Sequence, residues 1–156
     1  MVRRVVVRTG EDPDKVDVSD GDVGDAISLE RFSATEIGAV GRAGSASFSA
    51  WQAGDGWQLE PGVGDVSFRI VRFLPIPADA AVDPTVGMHA TQTVDLGSVL
   101  SGEVTLVLES GEEIALQSGD VFVLEGVPHA WRNTSGVPCI ASIVMLSRLA
   151  GRVTDR

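Results

Sequence analysis

Only two histidines occur in the chain, His89 and His129, and each lies in a segment with the other residue types that site chemistry needs. The first segment is Met88-His89-Ala90-Thr91-Gln92-Thr93-Val94-Asp95, and the second is Gly126-Val127-Pro128-His129-Ala130-Trp131-Arg132-Asn133. Side chains alternate faces along an extended strand, so His89, Thr91, Thr93 and Asp95 are expected on one side. His129, Trp131 and Asn133 share a side by the same rule. An imidazole titrates near neutral pH, which suits His89 and His129 to general acid–base work. Asp95 would orient or charge one of them, Thr91 would hydrogen-bond a substrate, and Trp131 would stack on a ring. Two imidazoles and a carboxylate are also a minimal metal-ligand set, which makes His89, Asp95 and His129 candidate ligands as well. The competing structural reading is that the histidines are hydrogen-bonded core residues.

Strands must carry these residues. Glu103–Glu109 alternates, with Val104, Leu106 and Leu108 on one face. Ser110-Gly111 then turns the chain into Glu113–Gln117, which predicts a hairpin. Ser118-Gly119-Asp120 leads into Val121–Leu124, the His129 strand follows, and Ile140–Leu146 closes the series. Short strands with frequent turns predict an all-β sandwich or barrel. In the first half Val66–Leu74 alternates, with Ile70 and Arg72 opposite Arg69 and Val71, and one of the two arginines is a candidate to bind a substrate carboxylate. Arg72 is taken as that residue. Val2–Arg8 is expected as a strand able to pair with a second chain at a sheet edge. Asp12–Asp25 is expected as a solvated acidic loop, Gly38–Gly44 as a flexible loop, and Pro75–Pro84 as a connector. Trp51 and Trp57 flank a Gly-Asp-Gly turn and are expected to cap the barrel or an interface.

The bulk properties narrow the function. A chain of 156 residues with 44% hydrophobic content is long enough for one domain with its own core. The expected division is a single domain over 1–156, with N-terminal strands and loops over 1–75 and the motif-bearing core over 84–147. A formal charge of −10 opposes contact with a phosphate backbone or an anionic membrane, so neither partner is expected. Cys139 is the one cysteine, in an apolar run, and is expected as a buried, inert thiol. The amino-terminal run of valines is too short for a signal peptide and no span is long enough to cross a membrane, so a cytoplasmic protein is expected. Tyrosine is absent and the single lysine, Lys15, sits in a turn, which removes Schiff-base chemistry. No phosphate-binding or dinucleotide loop and no serine-nucleophile elbow is found.

The turn and strand order from about Pro84 to Leu146 resembles the cupin superfamily. That family's first motif is matched by His89, Thr91, Asp95 and Gly102, and its second by Gly119, Gly126, His129 and Asn133. The resemblance implies a double-stranded β-helix, or jelly-roll, barrel with an N-terminal β extension, a small-molecule pocket and pairing into homodimers. It also implies a divalent metal, iron, manganese or zinc, held by His89, Asp95 and His129. Departures cut into that set. Thr91 replaces the second histidine, Asp95 replaces a longer glutamate, Asp83 stands for the leading glycine, and the proline of the second motif is missing. Three readings stay open. The first is a metabolic enzyme of isomerase, dehydratase, cyclase or decarboxylase type, with a degenerate metal site. The second is a metal-dependent oxygenase or isomerase. The third is a non-catalytic ligand sensor or dimeric scaffold.

Overall fold

The computed structural model describes residues 1–9, 14–41, 46–47, 58–80, 83 and 85–148. Among them every regular element is a strand, and all pairings are antiparallel. The strands are β1 (Val2–Thr9), β2 (Val16–Val23), β3 (Ile27–Ser28), β4 (Phe32–Val40), β5 (Ala46–Ser47) and β6 (Val66–Phe73). They continue as β7 (Thr93–Ser101), β8 (Glu103–Leu108), β9 (Glu113–Gln117), β10 (Val121–Glu125), β11 (His129–Arg132) and β12 (Cys139–Ser147). A seven-stranded sheet runs β10-β7-β12-β6-β4-β3 with β5 added to β4, and a three-stranded sheet runs β11-β8-β9. β1 and β2 form a separate ribbon. The sequence order 7, 12, 6 in the middle of one sheet shows the crossing connections of a jelly roll.

The two larger sheets share one core. Val71 and Phe73 of β6, Val99 of β7, Phe122 and Leu124 of β10, and Cys139 and Ala141 of β12 meet Val104, Leu106 and Leu116 of the three-stranded sheet. Alternation supplies this. β10 reads exposed, buried, exposed, buried, exposed, and β6 buries Ser67, Arg69, Val71 and Phe73 in turn. Cys139 is buried, as expected from its apolar run, and burial pushes its thiol up from the ordinary value. The β7–β8 corner needs glycine. Gly102 has φ +77°, and a Cβ there would lie 2.8 Å from the Pro138 carbonyl oxygen.

Three expectations need correction. The stretch read as a solvated acidic loop contains β2, which pairs along its whole length with β1. Its Asp20 takes two hydrogen bonds from Arg3, at 2.9 and 2.7 Å, so a charge pair on the open face stands in for apolar alternation. β2 covers one edge of β1, and Val6 of β1 and Val23 of β2 are buried. Gly38 lies inside β4, beside a bulge between Glu36 and Gly38, and not in a loop. The His89 segment is not a continuous strand either. Regular pairing starts at Thr93, and His89 makes an isolated bridge to His129. Trp51 and Trp57 lie outside the described residues.

Candidate functional site

The bridge fixes the two histidines together. His89 N–H donates to the His129 carbonyl and His129 N–H donates to the His89 carbonyl, both at 2.9 Å. The rings follow the backbone, with centroids 4.6 Å apart and planes inclined by 53°. Each ring is pinned at the same atom. His89 Nδ1 lies 2.7 Å from the Gly87 carbonyl oxygen and His129 Nδ1 lies 2.8 Å from that of Val127. A carbonyl oxygen can only accept, so both Nδ1 atoms carry the proton, and in the neutral ring Nε2 keeps its lone pair. His129 is 3% exposed, while His89 is half-buried and sits toward solvent. Burial lowers the His129 pKa below its ordinary value, as does the neighbouring His89, against the opposing pull of the Val127 bond and Asp95.

Below the rings the expected face of the first segment forms. Thr91, Thr93 and Asp95 are all buried. Their oxygens make a chain: Thr91 Oγ1 to Thr93 Oγ1 is 2.7 Å, and Thr93 Oγ1 donates to Asp95 Oδ1 at 2.5 Å. Burial raises the Asp95 pKa, while the Thr93 bond and the charges of His129, Arg69 and His89 hold it down. Asp95 is therefore electrostatically coupled to both imidazoles.

Two strands away in the same sheet, β6 corrects the choice of arginine. Arg69, not Arg72, faces inward from β6 and is 4% exposed. Its Nε lies 3.3 Å from Glu36 Oε2, its Nη1 donates to the Leu59 carbonyl at 2.8 Å, and its Nη2 donates to Ser67 Oγ at 3.0 Å. Arg72 sits on the opposite face, where Nη1 donates to Asp25 Oδ1 at 2.8 Å. Val71 and Phe73 pack inward as well as Ile70 would have, so an apolar strand flanked by two arginines could not reveal its own register. Glu36 and Arg69 are paired in register across β4 and β6, a contact between segments more than thirty residues apart that no local pattern announces.

Trp131 lies beside His129, with ring centroids 5.8 Å apart in an edge-on arrangement. It also packs on Phe73 at 4.8 Å and Phe122 at 5.2 Å, so it serves the core as well as the site. Asn133 is fully used by the chain. It donates to the carbonyls of Phe73 and Val137 and accepts from the Ser135 N–H and hydroxyl, which shapes the turn after β11.

The ligand set for a metal does not close. Among the described residues no three His, Cys, Asp or Glu side chains converge to hold an ion. Two Nε2 lone pairs with pinned Nδ1–H groups are suited to ligation, but Thr91 stands where a third imidazole would be, and the Thr93 hydroxyl occupies Asp95 Oδ1. A cleft of about 230 Å³ opens elsewhere, on the outer face of the three-stranded sheet, lined by Glu103, Thr105, Gln117, Arg132 and Ser135 among others. The pairing of the two histidines, and not the size of that hollow, marks the candidate site.

Residues 78–145 match the cupin domain family. A phomopsin biosynthesis cluster protein of Diaporthe leptostromiformis is 54% identical over 48 residues, which are 31% of this chain and 25% of that protein. A cupin-domain-containing oxidoreductase of Neurospora crassa is 48% identical over 48 residues, 31% of this chain and 24% of that one. The chain thus spans about a quarter of the length of these curated relatives. A solved oxalate oxidase, in complex with glycolate, superposes with a TM-score of 0.49 at 18% identity, over 83% of this chain and 58% of the other. The match to the cupin domain family covers residues 78–145, the part of the chain that holds both histidines.

Proposed function

We propose that the protein is a metabolic enzyme acting on a small oxygenated molecule bound at His89 and His129. The reaction class is proton transfer: isomerisation, dehydration, cyclisation or decarboxylation. One observation carries the reading, namely two imidazoles 4.6 Å apart, each clamped at Nδ1 by a backbone carbonyl, with a carboxylate coupled to both. A clamped Nδ1–H leaves Nε2 as the base. After taking a proton the ring becomes an acid of fixed orientation, and Asp95 stabilises the imidazolium. The half-buried His89 can exchange that proton with water, while the buried His129 keeps its proton within the site. Thr91 and Trp131 are proposed as substrate contacts. Arg72, on the opposite face against Asp25, is not among them.

The test is a thermal-shift screen of small metabolites followed by His89→Ala and His129→Ala. A compound that stabilises the wild type must lose its effect in both variants. Retention of binding and turnover in both would end the proposal.

A second reading, a metal-dependent oxygenase or isomerase, draws on the two Nε2 lone pairs and on relatives named as oxidoreductases. Elemental analysis after reconstitution with iron, manganese and zinc decides it, since metal well below one atom per chain removes it. Pairing of two copies belongs to the proposal too. The outer face of the large sheet carries an exposed row, Val123, Leu96 and Phe68, linked in register through Val144. Light scattering that reports a monomer at working concentration would exclude it.

A further inference from the structure

We propose that the ligand of the His89–His129 site is a neutral, hydroxyl-bearing molecule that donates hydrogen bonds, and not a carboxylate anion. This rests on the reading of those two histidines as a binding site and adds the class of molecule that fits. The direction of each hydrogen bond follows from the atoms involved. Gly87 and Val127 offer carbonyl oxygens, so the protons on both rings are at Nδ1 and each neutral ring offers a lone pair at Nε2. Thr93 Oγ1 donates its single hydroxyl proton to Asp95 Oδ1. Thr93 then has no proton for Thr91, and the 2.7 Å contact between them requires Thr91 to donate. Both threonine protons are spent within the chain.

What remains is lone pairs: two imidazole nitrogens, the Thr91 oxygen and Asp95 Oδ2. A ligand that brings O–H groups pairs with these acceptors, and one that brings only oxygen lone pairs does not. Charge points the same way. The buried cation Arg69 lies against Glu36 and also feels the charge of Asp95, so two negative charges already act on one guanidinium. An added carboxylate would be a third.

Three probes of similar size separate the chemistries: catechol with two O–H donors, its dimethyl ether with none, and benzoate as an anionic acceptor. Each is titrated into the ¹⁵N-labelled full chain with a chelator present throughout, so that no adventitious ion takes part. Amide shifts give both the location and Kd. The expected result is catechol perturbing residues 89–95 and 127–131 with a Kd at least about tenfold below those of the ether and benzoate, the difference expected from one or two hydrogen bonds made or missed. Asp95→Asn replaces an acceptor by an amide donor of the same shape, and should reduce catechol's lead over benzoate to about threefold or less. If the ether or benzoate binds at those amides as tightly as catechol, the inference falls and the site stands. Perturbation by none of the probes, or only around Thr105 and Arg132, overturns the inference and the site together. An undiminished lead of catechol over benzoate in a folded Asp95→Asn protein also overturns it.

Discussion

Replacing Arg69 by methionine isolates the buried charge pair beneath the histidines. Both side chains of the Arg69–Glu36 pair are 5% exposed and their charged atoms are 3.3 Å apart. At an effective dielectric of about 20 the direct attraction is about 5 kcal/mol, most of which offsets the loss of hydration on burial. Methionine keeps the length of the side chain but leaves Glu36 a buried carboxylate without its guanidinium. It also removes the donors to the Leu59 carbonyl and Ser67 Oγ. The expected cost is about 3–5 kcal/mol. Adding Glu36→Gln takes away the stranded charge, and the double variant should recover about 2–3 kcal/mol of that loss. The assay is guanidinium unfolding of the wild type, both single variants and the double variant at pH 7, with m checked for constancy. Additive losses, with no recovery on neutralising Glu36, would refute the pairing as an energetic unit.

Other perturbations probe the site and its supports. The folded His129 has a pKa below the 6.5 of a free histidine, so below about pH 6.5 the unfolded chain binds a proton that the folded chain refuses. Stability attributable to this residue therefore falls as pH drops from about 6.5 toward the lowered value, and His129→Asn should flatten that part of the unfolding-versus-pH curve; an unchanged slope would contradict it. Thr93→Val removes the proton given to Asp95 Oδ1 and should cost about 1–3 kcal/mol in urea unfolding while raising the Asp95 pKa further. A Cβ at Gly97 would lie 2.1 Å from the tip of the Phe122 ring, which is itself held by Trp131 and the core. Gly97→Ala should thus cost about 1–3 kcal/mol, read from the same unfolding curves, and an alanine as stable as glycine would show that the ring shifts freely.

Much of this arrangement was legible in residue order because the strands after Pro84 alternate cleanly and are separated by turn glycines. The face shared by Thr91, Thr93 and Asp95, and the meeting of His89 with His129, follow from period-two alternation and the resemblance to a known barrel. The inward turn of Arg69 does not, because β6 is apolar on both faces and its register is decided by β4 and β12 on either side. β2 was hidden by its aspartates and glycines, which disfavour strands in isolation and are held here by pairing with β1. Glu36 escaped notice since its partner is distant in sequence. The tautomers of the two rings were invisible for another reason: they depend on backbone carbonyls two residues away, and only folded coordinates show where those oxygens point.

The account depends most on two base-ready imidazoles side by side. Long-range ¹H–¹⁵N spectra of the histidine side chains at pH 7.5 report the protonated nitrogen of each ring directly. Both rings are expected as the Nδ1–H tautomer with an unprotonated Nε2, and a single bound ligand should shift both Nε2 resonances together. A proton found on Nε2 of either ring, or a ligand that moves one resonance and leaves the other in place, would contradict the proposed chemistry.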